Sequence, residues 1–155
     1  MARKSKEEIL IAERHFDSIF NYDAGTIRSK FLTELRDNQR IMGIRCPDCN
    51  RVYVPARSTC HKCFASLTDF VPVANTGTLT TYSIVNSPQP YSPAEPPFIY
   101  GIIQLDGADT GLVHLISGVD PQKVTIGMRV RAVFNEKRIG SIFDIKHFKP
   151  IGGER

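Results

Sequence analysis

Residues 46–63 read CPDCNRVYVPARSTCHKC, and all four cysteines of the chain fall within them as two C-x-x-C pairs. Three chemistries use paired cysteines: a reactive dithiol, a disulfide staple and a metal cage. A thioredoxin-like redox site needs one pair at a helix N-terminus after a strand, not two facing pairs. The N-terminus, MARKSKEEILIAERHF, is charged and lacks the apolar core and small-residue cleavage site of a secretory signal. The expected compartment is therefore the cytoplasm, where paired disulfides are uncommon. In a cage, each C-x-x-C folds into a tight knuckle whose two sulfurs face one cation. Pro47, Asp48 and Asn50 favour such a turn, and residues 41–45 and 51–54 flank it as a short hairpin. Four thiolates suit tetrahedral zinc, and paired knuckles match structural zinc ribbons. Iron in a rubredoxin-like site is the rival. Cys46, Cys49, Cys60 and Cys63 are thus the expected ligands of a structural zinc. His61 lies inside the second knuckle, but four thiolates complete the shell without it. A closed shell leaves no place for an activated water, so the metal explains folding rather than function.

Charge is distributed unevenly along the 155 residues. The net charge of +4 permits anionic partners without demanding any. Residues 1–45 hold nine cations and seven anions, interleaved as on a solvated helix. Between Lys62 and Lys123 there is no lysine or arginine; the later cations include Lys123, Arg129, Arg131, Lys137, Arg138, Lys146 and Lys149. No apolar run approaches the ~20 residues of a membrane helix.

Local patterns divide the chain into three parts. Ser5 and Glu8 form a capping box ahead of Ile9, Ala12, Phe16 and Ile19 at helical spacing, which predicts a helix over 5–20. A second helix, capped by Asp23 or Thr26, carries Ile27, Phe31, Leu32 and Leu35 and ends near Asn38. From about Val71 the pattern turns to strands at 77–85, 98–106, 111–117, 128–134 and 141–148, each β-branched or aromatic and bounded by turn residues. Five strands suggest a closed Greek-key barrel of the OB type. On the fourth, Met128, Val130, Ala132 and Phe134 point inward, which turns Arg129 and Arg131 outward together. The expected fold is mainly β with N-terminal helices: 1–38 helical, 39–70 a rubredoxin-like zinc ribbon, and 71–155 a five-stranded OB-fold. Between the first two barrel strands, NSPQPYSPAEPPF (86–98) carries five prolines with Tyr91 and Phe98, and reads as a stiff arm.

Laid end to end, ribbon and barrel resemble the zinc-ribbon/OB-fold proteins of bacteria and archaea, a former domain of unknown function associated with acyl-CoA and thiolase-type enzymes. The resemblance covers about residues 27–150. It rests on FLTELRDNQRIMGIRCPDCNRVYVPARSTCHKC, NTGTLTTYSIV, PPFIYGIIQLD and IGMRVRAVF. It implies an accessory subunit of a thiolase-fold enzyme, such as acetoacetyl-CoA thiolase with 3-hydroxy-3-methylglutaryl-CoA synthase. Some relatives carry a fused hydratase domain that this chain lacks, which argues against intrinsic hydratase activity.

Two other classes compete. Zinc ribbons and OB-folds also bind single-stranded nucleic acid, through cations and stacking aromatics on the second and third strands. Here residues 98–117 contain no lysine or arginine, which removes the phosphate-neutralising term. An enzyme would need a nucleophile or base, yet the metal takes every thiol and no G-x-S-x-G or H-E-x-x-H accompanies His15, His61, His114 and His147. The expectation is a non-catalytic scaffold with a thiolase-fold partner and self-association when alone. Arg129, Arg131, Lys137 and Arg138 are the candidates to meet the phosphates of a CoA thioester.

Overall fold

The computed structural model describes residues 21–88 and 92–152. The helix expected over 5–20, and Tyr91 of the proline arm, lie outside these residues. Helix α1 spans Gly25–Asn38. The N-cap is Ala24, without a side-chain cap bond, so neither Asp23 nor Thr26 caps the helix as expected; the Asp23 carboxylate instead accepts the Gly25 N–H at 2.7 Å from one position earlier. The buried face carries Phe31 and Leu35. Gln39 turns left-handed (φ 50°) and ends the helix. The Arg138 guanidinium donates to the Arg36 carbonyl at 2.7 Å, placing a cation at the negative end of the helix dipole.

A three-stranded antiparallel sheet follows, in the order β2 (Val52–Tyr53), β1 (Met42–Arg45), β3 (Asp69–Pro72). The β1–β2 hairpin is the one expected around the first knuckle. Strand β3 was not foreseen, because DFVP alternates too briefly to distinguish a strand from the start of the barrel. Gly43 has a specific reason to be glycine. A Cβ there would stand 2.6 Å from a Val52 methyl and 2.8 Å from one of Val73.

The remaining strands close a barrel in the order β4 (Thr76–Val85), β5 (Phe98–Leu105), β6 (Gly111–Ile116), β8 (Ile145–Pro150), β7 (Arg129–Phe134). Closure comes from β4 pairing with β7 at Thr76–Arg131, Gly77–Val130 and Thr78–Arg129. Leu79, Ile103, Leu105, Leu112, Val130, Ile145 and Phe148 fill the interior. On β7, Val130 and Ala132 are buried, Phe134 is half-buried like Met128 just before the strand, and Arg129 and Arg131 face out, as the alternation requires. The last strand starts later than its sequence suggests. Ser141 and Asp144 form a capping box round a 3-10 turn at Ile142–Asp144, so the strand begins at Ile145.

Ribbon and barrel are joined by backbone pairing as well as apolar contact. The Asp109 N–H donates to the Val52 carbonyl, and the Asp109 carboxylate accepts the Val52 N–H, both at 2.8 Å. The Thr110 hydroxyl accepts from the Val54 N–H at 2.8 Å and donates to the Val54 carbonyl at 3.0 Å. The turn between β5 and β6 thus covers the outer edge of β2, and the buried residues of both parts form one continuous core.

Candidate metal centre

Two loops of one repeated geometry build the centre. In the first, the Cys46 N–H donates to the Arg51 carbonyl at 2.8 Å and the Asn50 N–H to the Cys46 carbonyl at 2.9 Å. In the second, Cys60 N–H meets the Ala65 carbonyl at 2.9 Å and Phe64 N–H the Cys60 carbonyl at 3.1 Å. The fourth residue after each leading cysteine is left-handed: Asn50 at φ 55° and Phe64 at φ 61°. Asparagine takes this conformation readily, whereas phenylalanine does not. The Phe64 ring is 78% exposed, so the knuckle imposes the backbone and ring packing does not. The turns also aim backbone donors at sulfur: Cys49 N–H at Cys46 Sγ and Lys62 N–H at Cys60 Sγ, each 3.4 Å.

The four Sγ atoms lie within 4.8 Å of one another, with Cys46 and Cys63 3.5 Å apart. A tetrahedron with metal–sulfur bonds of ~2.3 Å has edges of ~3.8 Å, so the set fits one ion. Cys46 and Cys60 are buried, Cys49 is half-buried and Cys63 exposed. The cage therefore sits at the margin of the core.

The ionisation of the sulfurs points the same way. The Tyr53 hydroxyl lies 3.1 Å from Cys60 Sγ. That bond pulls the Cys60 thiol down to about 5; burial opposes it, and backbone N–H groups of Cys63 and Lys62 assist. Tyr53 is correspondingly pushed up to about 12 by its bond to Cys60, then by burial. At Cys63 the Ala65 N–H favours the thiolate, but the Cys49 sulfur, burial and the remaining sulfurs outweigh it and push the thiol up to about 12. One thiolate forms easily and its neighbours resist a second charge beside it. Four thiolates together call for a cation, which is the donor chemistry of zinc. His61 stacks edge-on against the Tyr53 ring at 5.4 Å and is not one of the clustered donors.

The four cations expected to meet phosphate do not form one cluster. Arg129 and Arg131 open β7, whereas Lys137 and Arg138 follow its end. Arg129 donates to both oxygens of Asp106, at 2.7 and 2.5 Å, and holds that carboxyl down to about 2, with help from Thr76. Arg138 is spent on the carbonyls of Arg36, Asn135 and Glu136. Arg131 faces Lys149 across the β7–β8 ladder. Among the described residues neither has an acidic partner within salt-bridge distance.

His114 is 3% exposed inside the barrel. Its Nδ1 accepts the Leu115 N–H at 2.9 Å, which leaves Nε2 to donate to the Ile142 carbonyl at 3.3 Å. Burial is the main cause that lowers its pKa, and the bond to the Ile142 carbonyl opposes it. Asp144, 2% exposed, accepts N–H groups of Ile139, Gly140 and Ser141. Both groups therefore hold the turn before β8. The roles of Tyr53, Asp109 and Thr110 were not foreseen. Tyr53 reads as an ordinary strand aromatic, and contacts across some 57 residues of sequence leave no local signature.

A tetracysteine ribbon leading into a closed five-stranded barrel defines a zinc-ribbon/OB-fold protein, with four cysteines positioned to bind a metal ion. Residues 33–69 match the family model "ChsH2, rubredoxin-like zinc ribbon domain" and residues 70–135 match "ChsH2, C-terminal OB-fold domain". The chain is 31% identical over 102 residues to a "DUF35 domain-containing scaffold protein" of Methanocaldococcus jannaschii, covering 64% of this chain and 71% of that protein. It belongs to this DUF35 family of zinc-ribbon/OB-fold proteins. A "Probable enoyl-CoA hydratase alpha subunit" of Thermomonospora curvata is 30% identical over 100 residues, 64% of this chain, but the match spans only 31% of that longer protein. A solved structure described as "Ltp2-ChsH2(DUF35) aldolase" superposes with TM-score 0.63 at 24% identity, over 84% of this chain and 98% of its counterpart. That likeness establishes the fold.

Proposed function

We propose that the chain is a non-catalytic scaffold or accessory subunit of a thiolase-type acyl-CoA enzyme, built round one structural zinc on Cys46, Cys49, Cys60 and Cys63. The observation that carries this reading is how its reactive groups are used. The thiols face one another in a closed set, both nitrogens of His114 are bonded, and Asp144 serves three backbone N–H groups. Such groups hold a shape and do not await a substrate. The name of the archaeal relative supports the scaffold role, and that of the hydratase subunit supports acyl-CoA chemistry. In this reading residues 39–70 form the ribbon, 71–155 the barrel, and 1–38 the helical part. Acetoacetyl-CoA thiolase acting with 3-hydroxy-3-methylglutaryl-CoA synthase is the partner class proposed. Where the chain borders bound CoA, Arg131 and Lys137 meet its phosphates, while Arg129 and Arg138 add positive field from their fixed positions.

The test is affinity purification of the tagged chain from its native host under mild salt, with mass spectrometry of what accompanies it. A thiolase-fold acyl-CoA enzyme in near-stoichiometric amount is expected. Its absence, together with retention of single-stranded nucleic acid, would replace the scaffold with a nucleic-acid binder.

A further inference from the structure

Strands β4, β5 and β6 read TGTLTTYSIV, FIYGIIQL and GLVHLI, without one lysine, arginine, aspartate or glutamate. Their inward positions fill the barrel. Their outward positions make a second surface, in which Thr81, Ile102 and Val113 stand in one row and Ser83, Tyr100 and Leu115 in the next. Ile102 is 38% and Val113 59% exposed. A solvated surface of this kind ordinarily carries ionised groups at about a quarter of its positions or more. The same barrel follows that rule on β7 and β8, where Arg129, Arg131, Lys146 and Lys149 are exposed.

Strand pairing gives an independent observation. β6 meets β8 at the single pair Ile116–Phe148, so from Gly111 to Leu115 its ladder runs with β5 alone. On the open side the Leu115 N–H is met by the His114 ring. Bare edges in soluble proteins are usually blunted by charge, proline or a bulge. No charge or proline stands on this strand; its open side is met by the Ile142–Asp144 turn through the His114–Ile142 bond, and Val113, in unbroken register with Ile102, stands on the neutral outer face. An outer surface that spans three strands without one charge has the composition of an interface centre.

We propose that the outer face of β4–β5–β6, centred on Ile102 and Val113, is where the acyl-CoA enzyme subunit docks, through an uncharged aliphatic or aromatic patch of its own. This rests on the scaffold reading above. Charge selects the occupant, because an ionised group set against Ile102 and Val113 at the centre of this face would be buried among uncharged side chains. Three strands ~4.8 Å apart and six residues long present roughly 300 Å², less than the ~800 Å² per partner of a stable interface. The face is therefore the centre of the contact. Its rim is the cleft of about 450 Å³ where Pro93 and Pro97 of the arm approach Leu115. Two copies face to face would bring together two chains of charge +4, which disfavours self-pairing.

The experiment co-expresses the full chain with the thiolase-fold acyl-CoA enzyme of the same genome and measures affinity for wild type, Ile102→Lys, Val113→Lys and Ile139→Lys. Ile139 is 73% exposed on the loop after β7 and controls for a lysine added elsewhere. Circular dichroism and zinc content verify that each variant is folded. The expected result is a loss of about a hundredfold or more for Ile102→Lys and Val113→Lys, from the unpaired ammonium, with Ile139→Lys unchanged. Equal binding by all four chains overturns the docking face and leaves the scaffold reading standing. No binding by wild type overturns both. A wild-type homodimer that Val113→Lys dissociates, with enzyme binding retained, assigns the face to a second copy and overturns the proposal.

Discussion

At the scale of single residues, two groups give the ribbon and the barrel their chemistry. Tyr53 donates its hydroxyl to the Cys60 sulfur from a fully buried ring. Second-sphere donors of this kind typically alter metal affinity by ~10–100-fold. Tyr53→Phe should weaken zinc binding by about that factor in competition with a chromophoric chelator, with little loss of secondary structure; unchanged affinity would mean that the bond is incidental. His114 sets a pH dependence. Its folded pKa lies below the unfolded value of 6.5, so the unfolded chain takes up the proton first. The stability it contributes is full above pH ~6.5 and is lost as pH falls through the lower, folded pKa. Facing groups reinforce the sign, since His147 adds positive charge when protonated. Urea unfolding of the zinc-loaded protein should therefore weaken from pH 7 towards 5, by up to ~1.4 kcal/mol per pH unit for one proton, and His114→Gln should flatten that part of the slope. The cysteine ligands were legible in the sequence because four identical donors at short spacing can face only one point. Tyr53 was not, because a buried aromatic with a polar tip looks the same from its neighbours whatever the tip meets.

At the scale of elements, the seam between β2 and the β5–β6 turn joins the ribbon to the barrel by backbone and side-chain bonds. Thr110 is both acceptor and donor for Val54, so Thr110→Val strands two backbone groups at once. A cost of about 2–4 kcal/mol is expected, read as a lower unfolding midpoint with the zinc content retained. A midpoint shift below ~0.5 kcal/mol would show that solvent replaces these bonds. Strand positions in the barrel were readable because alternation of apolar residues fixes both the element and its inward face. The last strand was read as starting too early, because Ile142 and Phe143 continue the apolar pattern although Ser141 and Asp144 wrap them into a turn. The short β3 escaped for the opposite reason: four residues carry too little period, and its place depends on Gly43 allowing close approach across β1.

At the scale of the whole molecule, one core runs from the cage through α1 to the barrel. Ribbon and barrel should therefore melt together when zinc is present. Removing the metal with a strong chelator should lower the midpoint of the barrel as well as unfold the ribbon, because the cover on β2 is shared. A barrel transition indifferent to the chelator would separate the two parts. The architecture was legible from the order of ribbon and strands. The neutral outer face proposed as the docking surface was not, because it depends on which faces of neighbouring strands coincide, and that follows only from register. The most direct test of the central claim is native mass spectrometry of the chain co-expressed with its thiolase-fold acyl-CoA enzyme. The scaffold account predicts a defined assembly containing both subunits, with one zinc ion for each copy of this chain. A 17.4 kDa chain flying alone, with its zinc bound and the enzyme free beside it, would contradict that account.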